Sequence, residues 1–373
     1  MYKSFKIENF RGIKKCELTE LKRINIFLGK NNCGKSSILE AIFLLTGYNN
    51  PILSVNIDLF RNLGHNKEED FSFIFYNLNY ALIPTLSADL QLKQSNISLE
   101  IIPESAEKIQ KSINTSELKS TLSPLTNSIE NSNIDNINSL VFKASVKLFH
   151  KEKEIISTSI IAEKKDNLFN LKVKPSNKKL NLNIKGVFLG NGFRNPTEII
   201  QRLDKMIIDK SKADIISNLK NIDTNIKDIV TSNGLVYIDI GANKMIPANL
   251  MGDGFLKYLA IIANMYSVKG QGIILIDEID NGLHFKTLKN ILKLILKSAK
   301  EYDIQVFITT HSKEVLMILK NLFEEDTTML NYKDEINVST VSKNESGILN
   351  VYNYNSDSFH YAMENNIEIR GEF

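Results

Sequence analysis

Two glycines separated by four residues, then a lysine and a hydroxyl, make up Gly29-Lys30-Asn31-Asn32-Cys33-Gly34-Lys35-Ser36. This order suits a phosphate chain. The glycines let the backbone wrap so that several N–H groups and a following helix N-terminus aim at one anion, while Lys35 reaches the β and γ phosphates and Ser36 offers its hydroxyl to Mg²⁺. Gly29, Asn31, Asn32, Cys33, Gly34, Lys35, Ser36 and Ser37 are therefore the candidate nucleotide contacts. The flanks agree: the apolar run Ile24 to Leu28 precedes the loop, and the helical pattern Ile38-Leu39-Glu40-Ala41-Ile42-Phe43-Leu44-Leu45 follows it. Strand, glycine-rich loop and helix are the context in which this motif binds a nucleoside triphosphate.

A second group of reactive residues lies far along the chain. Gly272-Ile273-Ile274-Leu275-Ile276-Asp277-Glu278 reads as a buried strand ending in two carboxylates. Asp277 is the expected partner of Ser36 at the metal, and Glu278 is placed to polarise a water in line with the γ phosphate. Upstream, Leu250-Met251-Gly252-Asp253-Gly254 is a glycine turn opening a helix, which presents another bare N-terminus to a phosphate. Asp280-Asn281-Gly282-Leu283-His284 follows the carboxylates, and Val306-Phe307-Ile308-Thr309-Thr310-His311 ends one more apolar strand on a histidine.

Positioning these groups takes an α/β arrangement. Tyr2 to Ile7 and Ile13 to Leu18 read as strands around the turn Asn9-Phe10-Arg11-Gly12, and Asn49-Asn50-Pro51 stops the first helix. From Phe71 to about Pro103 the runs are β-rich, with Ile97-Ser98-Leu99-Glu100-Ile101 alternating as a half-buried strand does. Residues 104–139 are rich in Ser, Asn, Thr and Glu and poor in large apolar side chains, so they read as a low-complexity insertion. Leu140 to Leu148, Ile155 to Ala162, Leu168 to Val173 and Leu180 to Leu189 predict an antiparallel β lobe over 140–193. Helical spacing in Pro196 to Lys210 and Ala213 to Val230 predicts two helices of about four to five turns, a hairpin arm over 194–232. The core is then split between 1–103, with the phosphate loop, and 233–373, with the carboxylates and the histidine.

Composition sets the outer limits. Across 373 residues, 43% hydrophobic and 24% charged, the chain can bury a sizeable core. No apolar run approaches the roughly 18 to 20 residues of a membrane span, and Met1 to Lys6 lacks a signal-peptide core, so a cytoplasmic location is expected. Cys16 and Cys33 are too few for a disulfide framework or a zinc site. With 46 basic residues against 43 acidic ones, only a local patch could hold nucleic acid, and Lys172, Lys174, Lys178, Lys179 and Lys185 are the candidates.

In order and spacing these motifs resemble the ABC-type ATPases of the SMC, RecF and OLD (overcoming-lysogenization-defect) group, and most of all the stand-alone bacterial ATPases of the OLD-like branch. The resemblance spans nearly the whole chain outside 104–139. It implies a P-loop NTPase of ABC-ATPase type, with a central mixed sheet, an antiparallel β lobe and a short helical hairpin arm. Its cofactors would be ATP and Mg²⁺, and its catalytic residues Lys35, Glu278 and His311. By the same resemblance Arg11 lies near the adenine and ribose, Gly252, Asp253 and Gly254 form the signature loop, Asp280 opens the D-loop and His311 is the switch histidine. Two subunits would sandwich two ATP molecules head to tail, the signature loop of one completing the γ-phosphate site of the other.

The sequence departs from that pattern at two points. Met251 stands where transporters carry the serine of Leu-Ser-Gly-Gly-Gln, which leaves backbone N–H groups and the helix dipole for the contact across subunits. For a Q-loop the candidate is Gln201, whose helical placement reads as surface, and Arg194 nearby is a candidate phosphate or partner contact. OLD proteins continue into a metal-dependent nuclease needing an Asp-x-Asp pair, and Ser312 to Phe373 contains none. The resemblance therefore implies a homo-oligomer, at least a dimer, acting as sensor or scaffold for a separate effector, a nuclease, in bacterial anti-phage defence, without a membrane. A RecF-like ATPase acting on DNA and the nucleotide-binding subunit of a transporter are the competing readings. Modest charge weighs against the first; the Asn-Phe-Arg-Gly opening and altered signature weigh against the second.

Overall fold

The computed structural model describes residues 1–63, 68–91, 95–105, 137–148, 154–165, 168–176, 178, 182, 184–190 and 196–371. Most of the expected insertion, Lys179 and Arg194 lie outside the described residues. At the centre are short apolar strands: β3 (Ile24–Leu28), β13 (Ile273–Ile276), β14 (Gln305–Thr309) and β15 (Ile336–Lys343). The first three are parallel to one another and buried throughout, as parallel strands covered on both faces must be. Alternation divides each run between two cores. Ile26, Ile274, Ile276, Val306 and Ile308 face one, and Phe27, Leu275 and Phe307 face the other.

Helix α1 (Lys35–Thr46) fills the second core, with Ile38, Leu39, Ile42 and Leu45 buried. The first core is covered by the three long helices α5 (Asp253–Ser267), α6 (Phe285–Glu301) and α7 (Lys313–Glu325). Between α1 and these lie α2 (Leu53–Leu59), α3 (Pro196–Ile208) and α4 (Lys212–Leu219) in chain order, and α8 (Ser356–Glu364) closes the fold.

The antiparallel strands extend the central sheet on one side. β1 (Tyr2–Phe10), β2 (Ile13–Leu18), β4 (Thr85–Leu90), β5 (Asn96–Glu104), β6 (Ser139–Lys147), β7 (Glu154–Lys165), β8 (Leu168–Lys174) and β16 (Ile348–Tyr354) continue the central sheet, in the order β8-β7-β6-β5-β4-β1-β2-β16-β15-β3-β14-β13, with the strand Gly186–Leu189 beyond β13. The register stacks Ile7, Leu86, Leu99, Ala144 and Ile156 in one row, all in the core that holds α1, so the wing curves round that helix. Glu104 is the register partner of Ser139, so the insertion leaves and rejoins the sheet at one point.

Three expectations are corrected. β9 (Gly186–Leu189), read as the end of the antiparallel lobe, lies parallel to β13 at the opposite end of the sheet. A backbone at Gly186 passes so close to α1 that a Cβ there would stand 2.8 Å from Thr46 Cγ2. The second helix of the supposed arm stops at Leu219, and the chain from Asp228 is a strand. β10 (Asp228–Ser232), β11 (Leu235–Asp239) and β12 (Ile246–Pro247) make a small antiparallel sheet. The apolar spacing of Ile222, Ile226 and Ile229 continued the helical period by coincidence; Asp223 turns the chain by accepting from Asn225 N–H. Nor does the pair project as an arm: Leu203, Met206, Ile215 and Leu219 are buried with Tyr258 and Ile262 of α5. Tyr258 Oη donates to Asn218 O, and Tyr266 Oη donates to Asp209.

Candidate active site

The phosphate loop joins the end of β3 to the start of α1. Gly29 has φ +151°, and a Cβ there would stand 2.4 Å from Val341 O of β15, so no larger residue fits between the loop and that strand. α1 begins directly after Gly34, with the Lys35 side chain buried. Lys35 Nζ donates to Gly29 O (2.6 Å) and Lys30 O (2.7 Å), which holds the ammonium inside the curve of the loop. Cys33 Sγ lies 3.8 Å from it.

The separate ends of the sequence meet at Asp277. β13 and β14 lie beside β3, and the C-terminal ends of all three point the same way. Ser36 Oγ donates to Asp277 Oδ1 at 3.0 Å, and Thr309 Oγ1 donates to the same oxygen at 2.5 Å. Burial holds the Asp277 carboxyl above the ordinary range, against the pull of these two hydroxyls. A hydroxyl and a carboxylate in contact form a hard oxygen donor set that fits Mg²⁺. Next to it, Glu278 N–H donates to Thr309 Oγ1 (2.9 Å), and Glu278 sits at φ +48°. Such a backbone is sparsely populated for a non-glycine residue and costs about 1–3 kcal/mol. It turns the chain at Glu278, directly after Asp277.

His311 follows β14 and is half exposed, with Nδ1 3.9 Å from Asp280 Oδ2. The other oxygen of Asp280 accepts from Thr310 Oγ1 at 2.5 Å. Asp280 and His311 are thus brought together behind the carboxylates. Gly252, Asp253 and Gly254 stand elsewhere. Gly252 has φ +89° at the start of α5, and the atoms nearest a Cβ on Gly254 belong to Thr287 and Leu283. Lys257 Nζ donates to Asn281 O, tying this turn to the segment after Asp280. Gly252 and Asp253 are exposed, as is the neighbouring Leu250 at 76%. Gln201 is exposed on α3.

Arg11 faces inward. Its Nε is 2.7 Å from Glu40 Oε2 and its Nη2 donates to Asp58 Oδ1 at 2.7 Å, so its guanidinium is committed to two buried carboxylates. Glu40, one turn after Ser36 on α1, also accepts from Arg61 Nε (2.6 Å) and Nη2 (3.0 Å). Arg61 Nη2 continues to Ser37 Oγ at 3.2 Å. Sequence reading missed Glu40, Asp58, Arg61 and the role of Thr309. Glu40 was legible as a carboxylate in an otherwise apolar helical run; nothing local marks the others.

Of the lysine patch, Lys172 and Lys174 lie on β8 at one end of the sheet, while Lys185 precedes β9 at the other. The strand order does not join them on one edge.

Residues 24–317 match the family described as "AAA domain, putative AbiEii toxin, Type IV TA system". Over 355 residues, 87% of this chain and 89% of the relative, the sequence is 28% identical to an ATP/GTP phosphatase of Helicobacter pylori. A shorter stretch of 37 residues, 10% of each chain, is 57% identical to the DNA replication and repair protein RecF of Geotalea uraniireducens. Among solved structures, the Smc head domain with an extended coiled coil from Pyrococcus furiosus, bound to the C-terminal domain of ScpA, aligns over 99% of this chain and all of its own. Its identity is 11% and the TM-score 0.49.

Proposed function

The chain belongs to this AAA-domain family, and from that premise we propose that it is a nucleotide-driven clamp whose closure controls a separate effector, a nuclease, in bacterial anti-phage defence. It is an ABC-type ATPase of the SMC and RecF group, and it hydrolyses ATP. The observation that carries the mechanism is the convergence of the Ser36 and Thr309 hydroxyls on Asp277 Oδ1, directly beside Glu278. Lys35 and the loop N–H groups bind the phosphates, and Glu278 takes the proton of the attacking water. Ser36 and Asp277 would hold Mg²⁺, which would supply positive charge against the phosphate oxygens. His311, held beside Asp280, reads the γ phosphate.

Support for pairing of copies comes from the exposed Gly252 turn. Gly252 and Asp253, at the N-terminus of α5, are exposed, with exposed Leu250 beside them. A second copy placed head to tail brings this turn to the γ phosphate. Hydrolysis then removes the anion that both copies share and releases the interface.

Light scattering on Glu278→Gln with and without ATP-Mg²⁺ tests the reading. Conversion of monomer to dimer by ATP is expected. A mass independent of ATP sinks the clamp and leaves nucleotide acting within a constitutive assembly.

A further inference from the structure

Outside the residues that serve the nucleotide, one imidazole lies between two carboxylates. His360 and Glu364 stand one turn apart on α8, and Glu324 comes from the last turn of α7. His360 Nε2 is 3.1 Å from Glu364 Oε1, and its Nδ1 is 3.8 Å from Glu324 Oε1. One ligating atom from each residue can be chosen so that all three lie within 4.8 Å of one another. We propose that Glu324, His360 and Glu364 bind a divalent transition-metal ion of the Zn²⁺ class, which clasps α8 to α7.

Packing fixes the two helices against each other and gathers negative charge at their ends. Phe359 and Ala362 bury one face of α8 in the core that also holds Leu319 and Leu322 of α7, and Leu319, Phe359 and His360 line one small niche. Both carboxylates fall at helix C-termini, where the dipole is negative and favours a cation. Neither helix carries a basic residue in its last turn. The acidic residues that follow Glu324 are matched by lysines of α6: Glu325 is 3.0 Å from Lys289, and Asp326 is 2.9 Å from Lys293. Glu324 instead meets His360, with Lys320 Nζ 3.6 Å from the same oxygen.

The donor set decides the class of ion. A neutral imidazole carries one N–H, so its other nitrogen turns a lone pair toward a carboxylate, a repulsion that a cation between them removes. A metal ion placed there bonds that lone pair and one oxygen from each carboxylate, and the two carboxylates balance its double charge. Imidazole nitrogen with carboxylate oxygens is the ligand set of Zn²⁺ and its neighbours, whereas Mg²⁺ takes oxygen. Bonds of about 2.0–2.2 Å put tetrahedral ligands about 3.3 Å apart, so the spacing of His360 and Glu364 already fits. Glu324 is exposed, and a change of its rotamer closes the third side, with water in the fourth position.

Calorimetric titration with Zn²⁺ tests the site on wild type, His360→Gln, Glu364→Gln and Glu325→Gln, in excess Mg²⁺ to compete for the oxygen donors at Asp277. One Zn²⁺ per chain is expected in wild type, bound about tenfold or more weakly by His360→Gln and Glu364→Gln and equally well by Glu325→Gln. Co²⁺ in place of Zn²⁺ should give a visible absorption band in wild type that His360→Gln lacks. Wild type that binds no Zn²⁺ overturns the proposal and leaves the imidazole held by a proton alone. Unchanged affinity in His360→Gln and Glu364→Gln overturns it as well, as does an equal loss in all three variants, each checked for folding by circular dichroism.

Discussion

In the proposed mechanism Lys35 serves binding and Glu278 serves chemistry. Lys35→Ala should abolish ATP binding, because the remaining N–H groups lack a full charge to hold the β and γ oxygens. Glu278→Gln should still bind ATP but turn it over about 10²- to 10⁴-fold more slowly, the usual share of a general base. Turnover equal to wild type would falsify the role given to Glu278; binding and steady-state phosphate release measured on the same preparations read both. Arg11 belongs to a different class of residue. Because Glu40 and Asp58 are buried beside it, Arg11→Ala leaves carboxylates without their partner, and a loss of about 3–5 kcal/mol is expected in urea unfolding. Burial pushes the Glu40 carboxyl up, and Arg11 and Arg61 oppose this. Without Arg11 it rises further. A folded-state pKa above the unfolded one means that stability is fullest below the unfolded pKa and is lost as pH rises through the folded one. The deficit of Arg11→Ala should therefore shrink on mild acidification, when Glu40 takes a proton. A deficit that grows instead would show that Glu40 is not the cause. Arg11 was expected at the nucleotide because of its place in the Asn-Phe-Arg-Gly turn. Its partners come from α1 and α2, and no local pattern in the sequence announces them.

Among the elements, the parallel strands were the most legible. Ile24 to Leu28, Ile273 to Ile276 and Val306 to Ile308 are unbroken apolar runs, and a strand buried on both faces needs nothing else. The small sheet was harder, although Asn233-Gly234 between Val230 and Val236 is a strong hairpin signal, and both residues adopt positive φ. The isoleucines before it fall at helical spacing, which masks the signal. What the elements do together follows from packing. α3 and α4 pack on α5, which opens at Asp253 directly after Gly252. Leu203→Ala, on the buried face of α3, should cost about 2–5 kcal/mol in chemical unfolding. If instead the helices stood free as an arm, the same change would be nearly neutral.

For the whole molecule, the consequence is a composite site. If each ATP is enclosed by the loop of one copy and the Gly252 turn of another, Lys35→Ala and Gly252→Asp should each be inactive alone and regain ATPase activity when mixed. A mixed pair contains one site with both intact halves. No recovery on mixing, with both variants folded by circular dichroism, would mean that the Gly252 turn acts within its own chain or not at all. The sequence by itself determined the motifs from which the chemistry is proposed: the loop Gly29 to Ser36, the pair Asp277-Glu278 and His311 are local patterns, written in residues adjacent along the chain. That Ser36 and Thr309 share one oxygen of Asp277 was decided only by the tertiary structure, because parallel pairing of β3, β14 and β13 brings together residues more than two hundred positions apart. The place of β9, the curvature of the antiparallel wing round α1 and the inward turn of Arg11 were decided in the same way. Each depends on which apolar face meets which, and that choice is made by burial across the whole fold rather than by any window of sequence.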